Sequence, residues 1–312
     1  MTPVAPGALR PAGAVDRERL VATFLELVAV DSPTGQEEEI GTVLEARYRE
    51  LGCTTTRDDV GNIVAVYPGT RPGTILVSTH MDTAGTDRGI VPIIGDDGVI
   101  RTDGSTILGA DDKSGLAGCL ELLRLLRANP DWSFPTIEFV STVGEERGLV
   151  GSRHLDVGRL SASHGFVLDT AGVMGSVTYW SPTSVYLTIT FHGRKAHAGV
   201  EPEKGISAVR VAARAIASMP LGRIDEETVA NIGTVAGGEA RNIIPDTVVL
   251  EGMARSHDQA KLDRQLEAMR SACAEAADES GATVEFVAEE IYQTYRIAED
   301  ALPYREAAAA IR

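Results

Sequence analysis

The chain has 312 residues, room for two domains at ~100–200 residues each, and its 43% hydrophobic and 24% charged residues are those of an ordinary globular protein. Asp and Glu outnumber Lys and Arg 45 to 29, a formal charge of -16. Binding that tracks nucleic-acid phosphates runs on Lys and Arg, so no nucleic-acid partner is expected. Three widely spaced cysteines, Cys53, Cys119 and Cys273, with no C-x-x-C pair, indicate neither a disulfide framework nor a thiolate zinc site.

The opening "MTPVAPGALRPAGAV" is broken by prolines and lacks a continuous apolar stretch, so it does not read as a signal peptide. No apolar run approaches the ~20 residues that span a bilayer; no membrane partner is expected, and the cytoplasm is the default compartment. "VDRERLVATFLELVAV" has apolar residues at helical spacing with Asp16 placed to cap it, and "QEEEIGTVLEARYRELG" is a second helix closed by Gly52. "GNIVAVYP" and "GTILVSTH" are short strands, the second apolar at consecutive positions as a strand buried on both faces would be. "GIVPIIGDDGVIRTDG" predicts a hairpin about a D-D-G turn. A helix over "KSGLAGCLELLRLLRANP", a buried strand "PTIEFVSTV", a short helix "RGLVGSRHLD" and a third buried strand "HGFVLDTAG" complete an alternating α/β layer on a covered, mixed sheet.

From about residue 180 the pattern changes. "SVYLTITFHG" alternates strictly, with Val185, Leu187, Ile189 and Phe191 on one face. A helix ("GISAVRVAARAIASM"), two strands ("ETVANIGTV", "DTVVLEGMARS"), a long helix and a last strand ("ATVEFVAEE") follow, giving the βαββαβ order of a ferredoxin-like domain. The expected organisation is a catalytic domain over 1–180 and 293–312, and a second domain over 181–292.

Four stretches of the first domain place acids or a histidine where a strand runs out. "LVSTHMD" gives His80 and Asp82, two apart and so on one side of the strand. "LGADDK" gives Asp111 and Asp112, "STVGEER" gives Glu145 and Glu146, and "GFVLD" gives Asp169. Each is weak alone: Asp111–Asp112 at a helix start fits an N-cap with a solvated neighbour as well as a cation site, and a paired Glu is ordinarily solvated. Ligands bind at the carboxyl ends of strands in open α/β sheets, and one imidazole with several carboxylates converging there suits Zn²⁺, or Mn²⁺ or Co²⁺.

"STHMDTAG", "GADDKSGLAG", "GEERGLVGS" and "VLDTAG" together resemble the metal-site motifs of the M20 family of co-catalytic zinc metallopeptidases, and most closely its peptidase T-like branch, with H-M-D-T and G-A-D-D-K-x-G. The resemblance covers nearly the whole chain and implies a zinc-exopeptidase-like catalytic domain with a ferredoxin-like lid or dimerisation domain. It implies two Zn²⁺, with His80 and Asp169 on one, Glu146 on the other and Asp111 bridging across a cis Asp111–Asp112 peptide bond. Asp82 would orient His80, and Glu145 would be the general base. In the lid it implies that His197 of "GRKAHAG" stabilises the oxyanion, in many members from a partner subunit, and that Asn242 and Arg255 of "RNIIPDTVVLEGMAR" hold the substrate. His154, His164, His192 and His257 carry no such implication.

The expected function is hydrolysis of short peptides, in the manner of an aminopeptidase or tripeptidase, by a homodimer joined through the lid. An amidohydrolase acting on N-acyl or N-carbamoyl amino acids uses the same ligand set, and a non-catalytic binding protein could share the scaffold. The resemblance also implies a histidine ligand after the lid. "ALPYREAAAAIR" instead opens a helix at Pro303 that runs to Arg312 without a stop, so the sequence reads as cut in mid-helix, with one zinc held tightly and little activity expected.

Overall fold

The computed structural model describes residues 15–170 and 172–311. The opening stretch 1–14, Ala171 of "VLDTAG" and Arg312 lie outside them. The chain forms two compact units, Met1–Ser176 and Val177–Arg312. Among the described residues no helix is long and apolar enough to cross a membrane.

The first unit begins with α1 (Arg17–Val28), capped by Asp16, whose carboxylate accepts from Arg19 N. Helix α2 (Glu38–Glu50) starts on glutamates and ends in arginines, each charge favoured by the helix dipole there, and is closed by Gly52 at φ +97°. Strands β1 (Thr54–Arg57), β2 (Ile63–Tyr67) and β3 (Thr74–His80) follow, then the hairpin β4 (Ile93–Ile94) and β5 (Ile100–Arg101). Helix α3 (Ala110–Ala128), β6 (Thr136–Thr142), α4 (Val150–His154) and β7 (Gly165–Val167) complete the unit. The main sheet runs β1-β2-β6-β3-β7, mixed as expected: β3 is parallel to both β6 and β7, while β1 and β2 are antiparallel. Leu27, Leu44, Tyr48, Ile63, Leu120 and Phe139 are buried in one cluster that joins α1, α2 and α3 to the sheet.

Only part of the strand-burial expectation holds. β6 is buried along six of its seven residues, but β7 lies at the sheet edge, with Val167 65% exposed. Its three residues pair with β3 alone, and an apolar run cannot by itself distinguish a central strand from an edge one.

A buried charge fastens α1 to α3. Glu121, 2% exposed, accepts from Arg19 Nε (2.8 Å) and Nη2 (2.6 Å) and from Asp16 N (3.1 Å). Burial pushes this carboxyl up, but the Arg19 hydrogen bonds, the Asp16 N–H and the charges of Arg19 and Arg124 outweigh it, leaving a net value below the ordinary 4.5. A depressed folded-state value contributes stability that is present above the unfolded value and lost as pH falls through the folded one. Glu121→Gln is therefore expected to cost about 1–2 kcal/mol at about pH 7, less than a fully buried pair because the Arg19 side chain is 42% exposed. In urea titrations the difference from the parent should shrink below about pH 4.5; a gap that stays constant down to about pH 3.5 would refute this origin.

The second unit begins at β8 (Trp180–Ser181) and β9 (Thr183–His192), followed by β10 (Ala196–His197), α5 (Ala208–Ser218), β11 (Gly222–Arg223) and β12 (Thr228–Gly237). Then come β13 (Ile243–Ile244), β14 (Thr247–Ser256), α6 (Gln259–Ser280), β15 (Thr283–Tyr292), β16 (Tyr295–Arg296) and α7 (Leu302–Ile311). The five-stranded antiparallel sheet runs β11-β12-β14-β9-β15, the ferredoxin-like arrangement of the βαββαβ order. Val185, Leu187, Ile189 and Phe191 of β9 are buried with Val211 and Ala215 of α5 and Met269 and Cys273 of α6. Residues 293–311 group with this unit, where β16 pairs with β8 and Tyr304 meets Tyr179 edge-on.

Candidate metal centre

Three parallel strands bring their carboxyl ends side by side. His80 closes β3 opposite Thr142 of β6, and Ser78 of β3 stands opposite Val167 of β7. The residues just past β6 (Glu145, Glu146) and β7 (Asp169) therefore emerge beside His80, where such sheets bind ligands. Asp111 arrives from the start of α3, whose Asp112 accepts from His80 N at 3.3 Å.

Asp111 and Asp112 divide the work at that helix start. Both have non-helical φ/ψ, and the bond between them is cis, as the family resemblance implies. Asp112 is 2% exposed and caps the helix, accepting from Gly115 N at 3.1 Å. The Asp111 side chain is 68% exposed and lies 3.0 Å from His80 Nε2. One carboxylate is spent on the backbone; the other is offered to the cleft.

The ligand atoms fall into two groups whose members all lie within 4.8 Å of one another: His80, Asp111 and Glu146, and His80, Glu145 and Asp169. Asp82 is fully buried behind them. Its Oδ1 takes His80 Nδ1 at 3.2 Å and Glu145 N at 3.0 Å; its Oδ2 takes Thr34 Oγ1 at 2.9 Å and Glu146 N at 3.2 Å. With Nδ1 facing Asp82, His80 presents Nε2 to the cleft, the usual arrangement of a metal-binding imidazole. The donor set, one imidazole nitrogen and four carboxylates, fits Zn²⁺.

The electrostatics ask for a cation. Desolvation, Asp169, Glu146 and Asp82 together push Glu145 up to about 7 against the opposing pull of His80. Glu146 and Asp169 are also raised, first by burial and then by Asp111. Burial pulls His80 down, but its hydrogen bonds to Asp82 and Asp111 carry it up to about 10 among protein groups alone. Lys113, 1% exposed, donates to Ser32 Oγ beneath this cluster; burial lowers its ammonium to about 8 despite Asp82, Asp31 and Glu37. Several carboxylates crowded together, each paying for its charge, are neutralised best by a dication.

The lid residues are distributed differently. His197 (β10) and the segment after Asn242 (β13) are paired, with Ala198 N donating to Asn242 O at 2.9 Å, and both side chains are exposed. Arg255 lies at the far end of β14, half-buried, with Nε on Ser184 Oγ at 3.1 Å. The eight residue-to-residue steps of strand from Thr247 to Arg255 span roughly 26 Å, so the structure does not bring Arg255 to His197 and Asn242 within one lid. Neither group includes His154, His164, His192 or His257; His154 Nδ1 donates locally to Val150 O, and His257 packs on Trp180.

Sequence reasoning missed the polar side chains that hold the Glu145–Glu146 turn. Glu37 Oε1 accepts from Gly144 N (3.0 Å), and Asn62 spans Val143 and Gly151. Such second partners have no motif of their own until the fold shows what they touch.

Two family profiles match: one described as Peptidase family M28 over residues 62–186, and one described as Peptidase dimerisation domain over 181–281. The protein YqjE of Bacillus subtilis is 42% identical over 291 residues, covering 90% of this chain and 78% of the other. A solved tripeptidase from Staphylococcus aureus aligns with TM-score 0.88 at 37% identity, covering 95% of this chain and 81% of that one. The aminopeptidase PepT of Bacillus cereus aligns with TM-score 0.82 at 42% identity, covering 95% and 83%.

Proposed function

The chain belongs to the M20 family of metallopeptidases, in its peptidase T-like branch, and from that premise we propose that it cleaves short peptides at a dinuclear zinc centre with Glu145 as the general base. The observation that carries this reading is the cluster of His80, Asp111, Glu145, Glu146 and Asp169, gathered from three adjoining strand ends and the start of α3. His80 and Asp169 would hold one Zn²⁺, Glu146 the other, and Asp111 both. When bound, such a pair lowers the pKa of a shared water and stabilises negative charge on the scissile carbonyl oxygen.

The chain's own groups do the rest. Asp82 keeps the His80 proton on Nδ1 and anchors the N–H groups of Glu145 and Glu146, so one buried carboxylate sets the orientation of ligand and base together. Glu145 stands beside the proposed ligands with its N–H held by Asp82, the placement a base needs to accept a proton from water and return one to the leaving amine. His197 and Asn242 would donate hydrogen bonds to the substrate and Arg255 would fork onto its carboxylate.

The roughly 26 Å between the two ends of β14 is too long for one short peptide to reach Arg255 and the His197–Asn242 pair of the same lid. A homodimer resolves this, because each site can draw one end from each copy; the match to a dimerisation domain supports it.

Metal analysis followed by a substrate screen tests the reading. Turnover of di- and tripeptides with a free N-terminus, abolished by chelation and restored by zinc, is the expected result. Turnover confined to N-acyl or N-carbamoyl amino acids would move the enzyme to the amidohydrolases, and metal binding without turnover of either class would leave a binding protein.

A further inference from the structure

Four consecutive backbone N–H groups, those of Val143, Gly144, Glu145 and Glu146, donate to side chains from three distant stretches of chain. Val143 N goes to Asn62 Oδ1 (3.1 Å), Gly144 N to Glu37 Oε1 (3.0 Å), and the last two to Asp82. Glu145 and Glu146 open a single 3₁₀ turn, Glu145–Arg147, directly after Val143 and Gly144; Gly144 and Gly148 flank it at φ +59° and +88°, and Leu149 follows at +61°. With so little secondary structure of its own, the turn takes its position from these partners.

Asn62 is the one partner that grips both limbs. It is 1% exposed; while its Oδ1 accepts from Val143, its Nδ2 donates to Gly151 O at 2.9 Å, beside the Gly151 N to Val143 O bond of 2.8 Å that closes the loop. A Cβ on Gly151 would sit 2.3 Å from Asn62 Oδ1 and 2.5 Å from Val143 O, so the closure is packed without slack. Asn62 is itself aimed. Asp58 Oδ2 accepts from its Nδ2 at 2.7 Å, and Asp58 Oδ1 takes Val60 N (3.1 Å), Gly61 N and Asn62 N (both 2.9 Å). The stretch "DDVGN" is thus a pre-formed bracket whose last side chain closes the root of the loop.

We propose that Asn62 is a positioning residue of the reaction: its amide, aimed by Asp58, sets where Glu145 and Glu146 stand relative to His80 and Asp111. The inference rests on the proposed roles of those two glutamates. A misplacement of about 1 Å at the reacting groups can cost about 10²-fold, and Asn62 lies one hydrogen bond and two residues from Glu145.

The test compares Asn62→Ala, the exchange pair Asp58→Asn/Asn62→Asp, and Glu145→Gln. The exchange keeps the net charge, the bracket's internal hydrogen bonds and the acceptor for Val143 N, but removes the donor to Gly151 O; it carries the test if Asn62→Ala fails to fold. The expected result, per folded and metal-loaded protein, is kcat down by about 10²-fold with KM within a few-fold. In metal-free protein, hydrogen exchange should accelerate over residues 143–151 while β6 and α3 keep their protection. A merely structural role would instead lower the melting temperature, loosen β6 as well, and leave kcat per folded enzyme near the parent value, which overturns the proposal. Full activity in Glu145→Gln would refute the assigned base; loss there with parental kcat and parental loop exchange in both Asn62 variants would refute the role of Asn62 alone.

Discussion

Glu145→Gln is expected to keep the fold and the bound metal of the parent while losing turnover by about 10²–10⁴-fold, the range that general acid–base groups contribute. The swap preserves shape and removes the one property the role requires, a carboxylate that can take a proton. Its fold should survive because the residue is held by its N–H on Asp82, a bond the substitution does not touch. Glu146→Gln provides the contrast: an oxygen proposed to bind metal is replaced by a poor ligand, so metal should fall along with activity. The contrast is needed because Glu145 also lies within ligand reach of His80 and Asp169. Zinc content measured on both variants decides it, and loss of zinc in Glu145→Gln with retention in Glu146→Gln would reverse the two roles.

Asp111→Asn should empty the centre without unfolding the protein. The Asp111 side chain is 68% exposed and hydrogen-bonded to His80 rather than to the helix start, so in the proposed reading its charge serves a cation at the cleft. Removing it weakens both proposed sites at once, and affinity should fall by more than the about 10–100-fold that accompanies loss of an outer partner. Asp112→Ala is expected to behave in the opposite sense. Loss of the cap to Gly115 and of the acceptor for His80 N costs about 1 kcal/mol or more of stability, while metal stoichiometry is retained. Calorimetric zinc titration and thermal unfolding of the two variants separate these outcomes; equal metal loss in both, with both folded, would show that the division of labour is wrong.

Much of this was legible in the residues. Strict alternation in β9 marked its buried face, and strand ends marked three of the four acidic or histidine-bearing stretches, because those signals are local; Asp111 stands at the start of α3 instead of at the expected strand end. The edge position of β7 was not legible, since an apolar triplet reads the same with one neighbour or two. Arg255 and Asn242 look like partners at thirteen residues apart, and a strand stretches that spacing across a whole sheet. Asn62 and Glu37 gave no signal at all, because a buried amide or carboxylate declares its purpose only through contacts 81 and 107 residues away.

The row of backbone N–H groups held from Glu37, Asn62 and Asp82 also bears on how the enzyme comes into being. Ligands drawn from His80 to Asp169 and a base loop anchored from residues 37, 62 and 82 cannot be assembled by any local segment of the chain. Closing such distant loops costs entropy before any contact repays it. A metal bound at the proposed centre would therefore not seed folding of the first unit as it does in a zinc finger; it would meet a sheet already formed.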